Sequence, residues 1–285
     1  MPWKITTVNV NGIRAAVRRG GIQWLEAAGP DVITLQEVRG SEAHLDGALS
    51  GTAFEHWHRA HAVSNAAGRA GVAVLSAAEP LEVRHGLGDF ADDGRWVEAD
   101  LPSEEHGVVT VVSAYVHTGE AGTDRQVDKL RFMDAMHNRF EELVKRSQAG
   151  EGEALITGDL NVAHRDLDIK NWKGNLKKSG FLPEERAYFD RWLGYGWDAA
   201  NPTNEPATQD GDLVDLGRMH GGDGPGPYTW WSWRGKAFDN DSGWRIDYQL
   251  ATQGLAQRSR SAVVGRAPTY AERWSDHAPL TVIFD

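Results

Sequence analysis

The residues best able to do chemistry in this chain stand where apolar runs stop. Leu155-Ile156-Thr157-Gly158-Asp159-Leu160-Asn161 is an apolar run that breaks at a glycine and then sets a carboxylate and a carboxamide two residues apart, continuing through Asp168 to Lys173-Gly174-Asn175. This pattern predicts a buried strand that delivers Asp159 and Asn161 side by side to a sheet end. A single Gly-Asp pair can equally be an Asx turn that satisfies its own backbone. The pair here has company, because Asn9 and Asn11, Glu37, Tyr115, and the couple Asp247 and His277 stand at the ends of other predicted strands.

Glu37 with one or two aspartates offers hard oxygen ligands, while the absence of Cys and of any His-x-x-x-His pattern removes a soft or zinc-type site. The implied ion is Mg²⁺ or Mn²⁺. Such an ion, held by few protein carboxylates, completes its shell with water and substrate phosphate, so phosphate-ester chemistry is the expectation. A general base is also needed, and either Asp159 or the Asp247–His277 pair could supply it. His164, His220 and the tryptophans Trp231 and Trp233 read as structural.

The elements that must position these groups follow from the rest of the chain. Trp3–Val10 is a β-branched run, followed by a helical stretch through Ala28 and a short apolar strand from Asp31 to Leu35 that closes on Gln36-Glu37. Strand, helix, strand in that order predicts neighbouring parallel strands whose carboxyl ends share one rim, placing Asn9, Asn11 and Glu37 together. Segments Gly71–Ser76, Leu81–Val83, Arg95–Leu101 and Val108–Val116 read as further strands joined by turns, which predicts antiparallel pairing and a mixed sheet. A long helix from about Thr123 to Gln148 follows, then a helix opening near Pro183-Glu184-Glu185 and two late strands, Arg245–Ala251 and Ala278–Phe284. The expected class is an α/β layered sandwich, and with no linker or repeat in sight residues 1–285 are expected to form one domain.

The net charge of −11 argues against a nucleic-acid partner only on average. Screening limits exposed charges to roughly 8 Å at physiological salt, so local clusters decide. Arg14, Arg18 and Arg19 form one; Lys170, Lys173, Lys177 and Lys178 a second; Arg234, Lys236 and Arg245 a third, interleaved with aromatics. All three flank the polar strand ends. No apolar run of about eighteen residues and no charged-then-apolar leader is present, so no membrane span is expected and a cytoplasmic protein is.

Six motifs, in order along nearly the whole chain, resemble the exonuclease III family of apurinic/apyrimidinic endonucleases. They are Asn9-Val10-Asn11-Gly12-Ile13-Arg14-Ala15, Leu35-Gln36-Glu37, Gly71-Val72-Ala73-Val74-Leu75-Ser76, Gly158-Asp159-Leu160-Asn161-Val162-Ala163-His164, Gly243-Trp244-Arg245-Ile246-Asp247-Tyr248 and Ser275-Asp276-His277-Ala278-Pro279-Leu280. The segments Asp168–Asn175 and Gly180–Arg186 look like the bacterial members closest to the mammalian abasic-site enzyme.

The resemblance implies a four-layered α/β fold, two mixed sheets face to face with helices outside. It also implies metal-dependent hydrolysis of the phosphodiester 5′ to an abasic site, leaving a 3′-hydroxyl, with 3′-phosphodiesterase and 3′→5′ exonuclease activity. The implied partner is double-stranded DNA carrying abasic sites or blocked 3′ ends, met by a monomer. Glu37 matches the principal metal-binding glutamate, and Asn11 stands where some members carry an aspartate that helps hold the ion; Asp276 matches an aspartate beside that site. Asn9 matches an asparagine that orients catalytic groups, Asp159 the aspartate that activates water, and Asn161 a donor to the scissile phosphate. Tyr115 matches a phosphate-binding tyrosine, and His277, oriented by Asp247, a histidine on a phosphate oxygen. Trp230, Trp244 and Ile246 match the pocket for a flipped sugar, and Arg14, Lys173 and Asn175 belong to the implied substrate surface. One departure stands out: after Tyr115 the family shows a proline and then an amide, where this chain reads Val116-His117-Thr118. The same rim serves phosphatases of inositol lipids and sphingomyelinases, and a non-catalytic DNA-binding protein on this fold would have lost a carboxylate that Glu37, Asp159 and Asp247 retain.

Overall fold

The computed structural model describes residues 2–66, 68–194 and 211–285. In chain order the elements are β1 (Trp3–Asn9), α1 (Ile13–Arg18), α2 (Gly21–Ala28), β2 (Val32–Gln36), α3 (Glu42–Leu49), β3 (His58–Ala62), β4 (Val72–Ser76), β5 (Glu82–His85), β6 (Trp96–Ser103), β7 (Gly107–Tyr115), α4 (Asp124–Gln148), β8 (Glu153–Asp159), α5 (Pro183–Leu193), β9 (Leu213–Asp215), α6 (Leu216–Gly221), β10 (Asp247–Thr252), α7 (Gln253–Ala256), β11 (Ser259–Val264) and β12 (Leu280–Phe284). The strands build two six-stranded sheets, one ordered β11-β12-β1-β2-β4-β3 and the other β5-β6-β7-β8-β10-β9.

Burial sorts the side chains into four layers. Ile5, Val32, Val72 and Val74 of the first sheet meet Val97, Val109, Val111 and Leu155 of the second in a core between them. The outer face of the first sheet, through Val8, Ile33, Leu35 and Leu75, is covered by Ile22, Leu25, Leu45 and Leu49 of α2 and α3. The outer face of the second, through Val112, Ile156 and Leu250, is covered by Phe132, Met136 and Phe140 of α4 with Phe189 and Trp192 of α5. The spacing of those α4 residues puts them on one stripe of a helix, which is why this segment folds as a helix against a sheet. The α/β layered sandwich that the sequence predicts is present, and its arrangement as two mixed sheets with helices outside is the one the family resemblance implies.

Register is what makes the site. β1 and β2 run parallel with Asn9 opposite Gln36, so Glu37 lies one residue beyond that row. β7 and β8 run parallel with Tyr115 opposite Asp159, and β10 runs antiparallel to β8 with Asp247 opposite the same Asp159. Three polar side chains therefore form one row across the end of the second sheet. The sheets are also tied near this end by polar contacts: Thr34 and Thr157 hydroxyls lie 2.6 Å apart, and Gln36 Nε2 donates to Ser113 Oγ at 3.0 Å.

Some elements differ from expectation. The helical stretch through Ala28 is two helices, because Gly20 at φ 83° takes the left-handed conformation that ends α1. Gly21 then opens α2 against the ring of Trp274, where a Cβ would lie 2.6 Å away. β3, β9 and β11 are edge or near-edge strands without long β-branched runs and carry no strong period-two signal. Among the described residues no helix is long and apolar enough to cross a membrane.

Candidate active site

Asp159 ends β8 and is buried. Gly158, at φ 131°, passes so close to β7 that a Cβ would lie 2.0 Å from the Ala114 carbonyl oxygen, so only glycine lets the two strand ends meet. Asn9 Nδ2 donates to Asp159 Oδ2 at 2.9 Å and to Glu37 Oε1 at 2.9 Å, joining a carboxylate from each sheet. Asn161 N donates to Asp159 Oδ1 at 3.0 Å, and the Asn161 carboxamide donates to the Val116 carbonyl at 2.8 Å. Asn11 N donates to Asn9 Oδ1 at 2.9 Å, and Asn11 Nδ2 to Asp276 Oδ1 at 2.8 Å. Asn11, Glu37, Arg39 and Asn161 all have positive φ. Strain of roughly 1–3 kcal/mol per residue is thus concentrated around one cleft, as at sites where side-chain placement outweighs backbone comfort.

His277 completes the cluster. Its Nδ1 donates to Asp247 Oδ2 at 2.9 Å, and its Nε2 lies 3.7 Å from Asp159 Oδ2. Burial alone would lower the imidazole, but Asp247, Asp159 and Asp276 around it push it up to about 10. For Asp159 burial is the main influence and raises the carboxyl; His277 opposes this, and Asp247 and Glu37 add to it, leaving the group above the ordinary aspartate range. Burial, with Glu37 and Asp159 nearby, pushes the Tyr115 hydroxyl well above its ordinary value, so it stays protonated as a donor.

Asp159, Asp247 and His277 offer ligand atoms within 4.8 Å of one another, close enough to hold a metal. A metal there needs a neutral imidazole and would have to displace the proton that the surrounding carboxylates favour on His277. Glu37 fits a hard cation better. Its Oε2 is buried without a hydrogen bond and forms an ion pair with Arg39, which is the environment of an oxygen that meets positive charge. Asp276 has both oxygens engaged, Oδ1 by Asn11 and Oδ2 by Trp230 Nε1 at 3.1 Å.

The cleft above these groups is lined by Glu37, Tyr115, Thr118, Asp159, Asn161, Asn175, Lys178, Ser179, Gly180, Trp230, Trp244, Ile246, Asp276 and His277. Trp230 and Trp244 meet edge to face with ring centroids 6.2 Å apart and pair across an isolated bridge, and a second bridge joins Trp230 to His277. Gly180 lets the wall close, since a Cβ there would lie 3.1 Å from the Trp244 ring and 3.2 Å from the Asn161 carbonyl. Arg14 on α1 and Lys173 are exposed and lie outside this lining.

One basic residue belongs elsewhere. Arg245, expected on the surface with Arg234 and Lys236, is buried, its Nε donating to Asp168 Oδ1 at 2.7 Å and its Nη1 pairing with Asp215 at 2.8 Å. A single charged residue between apolar neighbours in Trp244-Arg245-Ile246 was the available hint. Two residues at the site carry no strand-end signal. Arg95 lays its guanidinium 4.8 Å over the Tyr115 ring and donates to the Tyr115 carbonyl at 3.2 Å. Lys129 is buried on α4 beneath the Asn161 turn, and the only sign of it is a lysine on the apolar stripe of a helix.

With this geometry in view, the likeness to known proteins is specific. The Endonuclease/Exonuclease/phosphatase family pattern matches residues 6–277, and the chain belongs to that family. It is 32% identical to the DNA repair nuclease APEX1 of Danio rerio over 98% of this chain and 81% of that one. Its fold is similar to an AP endonuclease from Archaeoglobus fulgidus, with a TM-score of 0.81 and 27% identity over 99% of both chains. It is also similar to the 3′ phosphatase NExo from Neisseria bound to product DNA hairpin, with a TM-score of 0.79 and 28% identity over 99% of both chains.

Proposed function

We propose that this protein is a DNA repair hydrolase that cuts the phosphodiester 5′ to an abasic site in duplex DNA, leaving a 3′-hydroxyl, and that also clears blocked or undamaged 3′ ends. The observation that carries the reading is the row Tyr115, Asp159 and Asp247–His277 opening under the Trp230 and Trp244 wall. Asp159, with its basicity raised by burial, takes the proton of the attacking water. Asn9 orients that carboxylate by donating to it. Water oxygen bonds to phosphorus as the bond to O3′ breaks, O3′ leaves and takes a proton from solvent to become the 3′-hydroxyl, and the charge on the phosphoryl oxygens is met by the His277 imidazolium and the Tyr115 hydroxyl. Trp230, Trp244 and Ile246 pack a deoxyribose that carries no base.

Glu37, with Asn11 and Asp276 beside it, is the set that would hold Mg²⁺ or Mn²⁺. When bound, such an ion stabilises charge on the phosphate and the leaving oxygen. Barrier lowering of about 20 kcal/mol is needed, and an ion, a base and three donors, His277, Tyr115 and the Asn161 carboxamide, at about 3 kcal/mol each supply that order of magnitude. We take residues 1–285 as one catalytic unit, on the ground that both sheets contribute to one cleft, and propose that it acts as a monomer in the cytoplasm. The test is an end-labelled duplex with a central tetrahydrofuran abasic analogue, digested with and without EDTA beside a soluble inositol phosphate. A cut 5′ to the analogue that EDTA abolishes is expected. Turnover of the inositol phosphate with an intact duplex would overturn the reading.

A further inference from the structure

One wall of the cleft is made by three chain segments that share no sheet pairing, namely Thr118, Asn161 and Ser179-Gly180. A single buried ammonium holds them. Lys129 Nζ lies 2.8 Å from the Asn161 carbonyl, 2.7 Å from Glu185 Oε1, 3.3 Å from the Thr118 carbonyl and 3.4 Å from Ser179 Oγ. Both side chains of the Lys129–Glu185 pair are 0% exposed. Glu185 continues the tie, its Oε2 accepting from Gly180 N at 2.7 Å and Leu182 N at 2.9 Å. Gly119 gives the ammonium stem its room, because a Cβ there would lie 2.9 Å from Lys129 Cδ.

A buried lysine is an unfavourable way to fill a helix face whose next turn uses Phe132 and Met133. What the ammonium does, and an apolar side chain cannot, is fix carbonyl oxygens in place. We propose that Lys129 is a positioning residue for the hydrolysis: with Glu185 it anchors the Asn161 carbonyl, and so the left-handed turn that aims the Asn161 carboxamide and, through Asn161 N, the Asp159 carboxylate. The proposal rests on the hydrolytic reading above. Lys129 does not itself line the cleft, and the Trp230–Trp244 wall is held by its own ring contact and backbone bridge, so removal of Lys129 should act on turnover far more than on capture of the duplex.

The test compares Lys129→Met with Lys129→Met/Glu185→Gln. The single variant leaves a buried carboxylate uncompensated and should melt well below the wild type, whereas the double variant should recover most of that loss. Turnover of the abasic duplex in the double variant should nonetheless stay at least about tenfold below wild type, since small misplacements of reacting groups are costly. Its Kd for the uncut abasic-analogue duplex in EDTA should stay within about threefold of wild type. Turnover that recovers together with melting temperature would show Lys129 to be structural only, and so would wild-type turnover in the single variant. The Asn161 side-chain amide signal in a ¹⁵N correlation spectrum should move in both variants. If the wild type itself leaves the duplex uncut, the hydrolytic reading fails, and an unmoved Asn161 signal would separately overturn the positioning role.

Discussion

Asp159 and Asp168 stand nine residues apart in the same segment, both fully buried, yet their surroundings push their protons in opposite directions. At Asp168 burial alone would raise the carboxyl, but Arg245 and Arg218 hold it well below the usual carboxylate range. Arg245 donates from Nε at 2.7 Å and from Nη2 at 3.1 Å, Arg218 pairs with Oδ1, and Arg165 N donates to Oδ2 at 2.9 Å. At Asp159 burial wins, and the partners are an amide, a backbone N–H, an imidazolium 3.7 Å off and the neighbouring Asp247. Guanidinium partners cannot release a proton, so they make a permanent anion that organises structure. Titratable partners leave a carboxylate that can take a proton and return it. Both serve the cleft, since Arg245 N donates to the Asp168 carbonyl at 2.7 Å and the Asp168 network thereby holds the strip that carries Trp244 and Ile246.

The contrast can be broken at either carboxylate. Asp159→Asn should lower turnover by ~10²–10⁴ or more while leaving affinity for the uncut duplex nearly intact. Single-turnover rates and a binding titration measure the two, and wild-type turnover would show that Asp159 is not the base. Asp168→Asn should do the reverse, destabilising the fold by about 3–5 kcal/mol at neutral pH because buried Arg218 loses its carboxylate and buried Arg245 keeps only Asp215. The pH dependence has a definite sign. A folded-state value depressed below the unfolded ~3.9 contributes stability that is complete above about pH 4–5 and is lost as pH falls towards the folded value. The gap between wild type and Asp168→Asn in urea unfolding should therefore be widest near pH 7 and narrow below about pH 4. A gap that widens on acidification would place the stabilisation elsewhere.

A third substitution asks whether the structural network reaches the chemistry through the aromatic wall. Trp244→Leu leaves the Asp168 guanidiniums untouched and opens the pocket, so melting should change little. Cleavage at the abasic analogue should fall about ten- to a hundredfold, the discrimination expected from a reshaped apolar pocket. Exonuclease activity on an undamaged 3′ end should be spared or raised, because a wall that excludes a base-bearing sugar has been lowered. Equal loss of both activities in a folded variant would make Trp244 a packing residue only.

How much of this was legible in the sequence follows the same division. Glu37, Asp159 and Tyr115 stand where apolar β-runs end, so period and punctuation alone bring them to sheet ends, and α4 is visible from its stripe. What could not be read was how two sheets would be stacked so that Asn9 of one donates to Asp159 of the other. Asp168 and Asp159 look alike as letters. Their difference lies in Arg218 and Arg245, 50 and 77 residues away, which only tertiary packing brings in. Lys129 was hidden for a similar reason, because a lysine on the apolar stripe of α4, one turn before Phe132, shows no partner until Glu185 arrives from α5.

The smallest expected effect lies on the rim, away from both carboxylates. Thr118 is exposed at the cleft edge, but its backbone is already held, its carbonyl accepting from Ser179 Oγ at 2.6 Å and from Lys129 Nζ at 3.3 Å. A longer donor grafted there needs little further ordering of the loop, so its hydrogen bond should register nearly in full. The exonuclease III resemblance implies an amide side chain where this chain carries Thr118. Thr118→Asn should therefore tighten binding of the abasic-analogue duplex by on the order of 1 kcal/mol, about fivefold in Kd, with melting temperature unchanged. The comparison must be made at one salt concentration, because phosphate contacts make Kd strongly salt-dependent. Unchanged or weaker binding would mean that residue 118 faces away from the DNA backbone and that the Lys129 tie serves Asn161 alone.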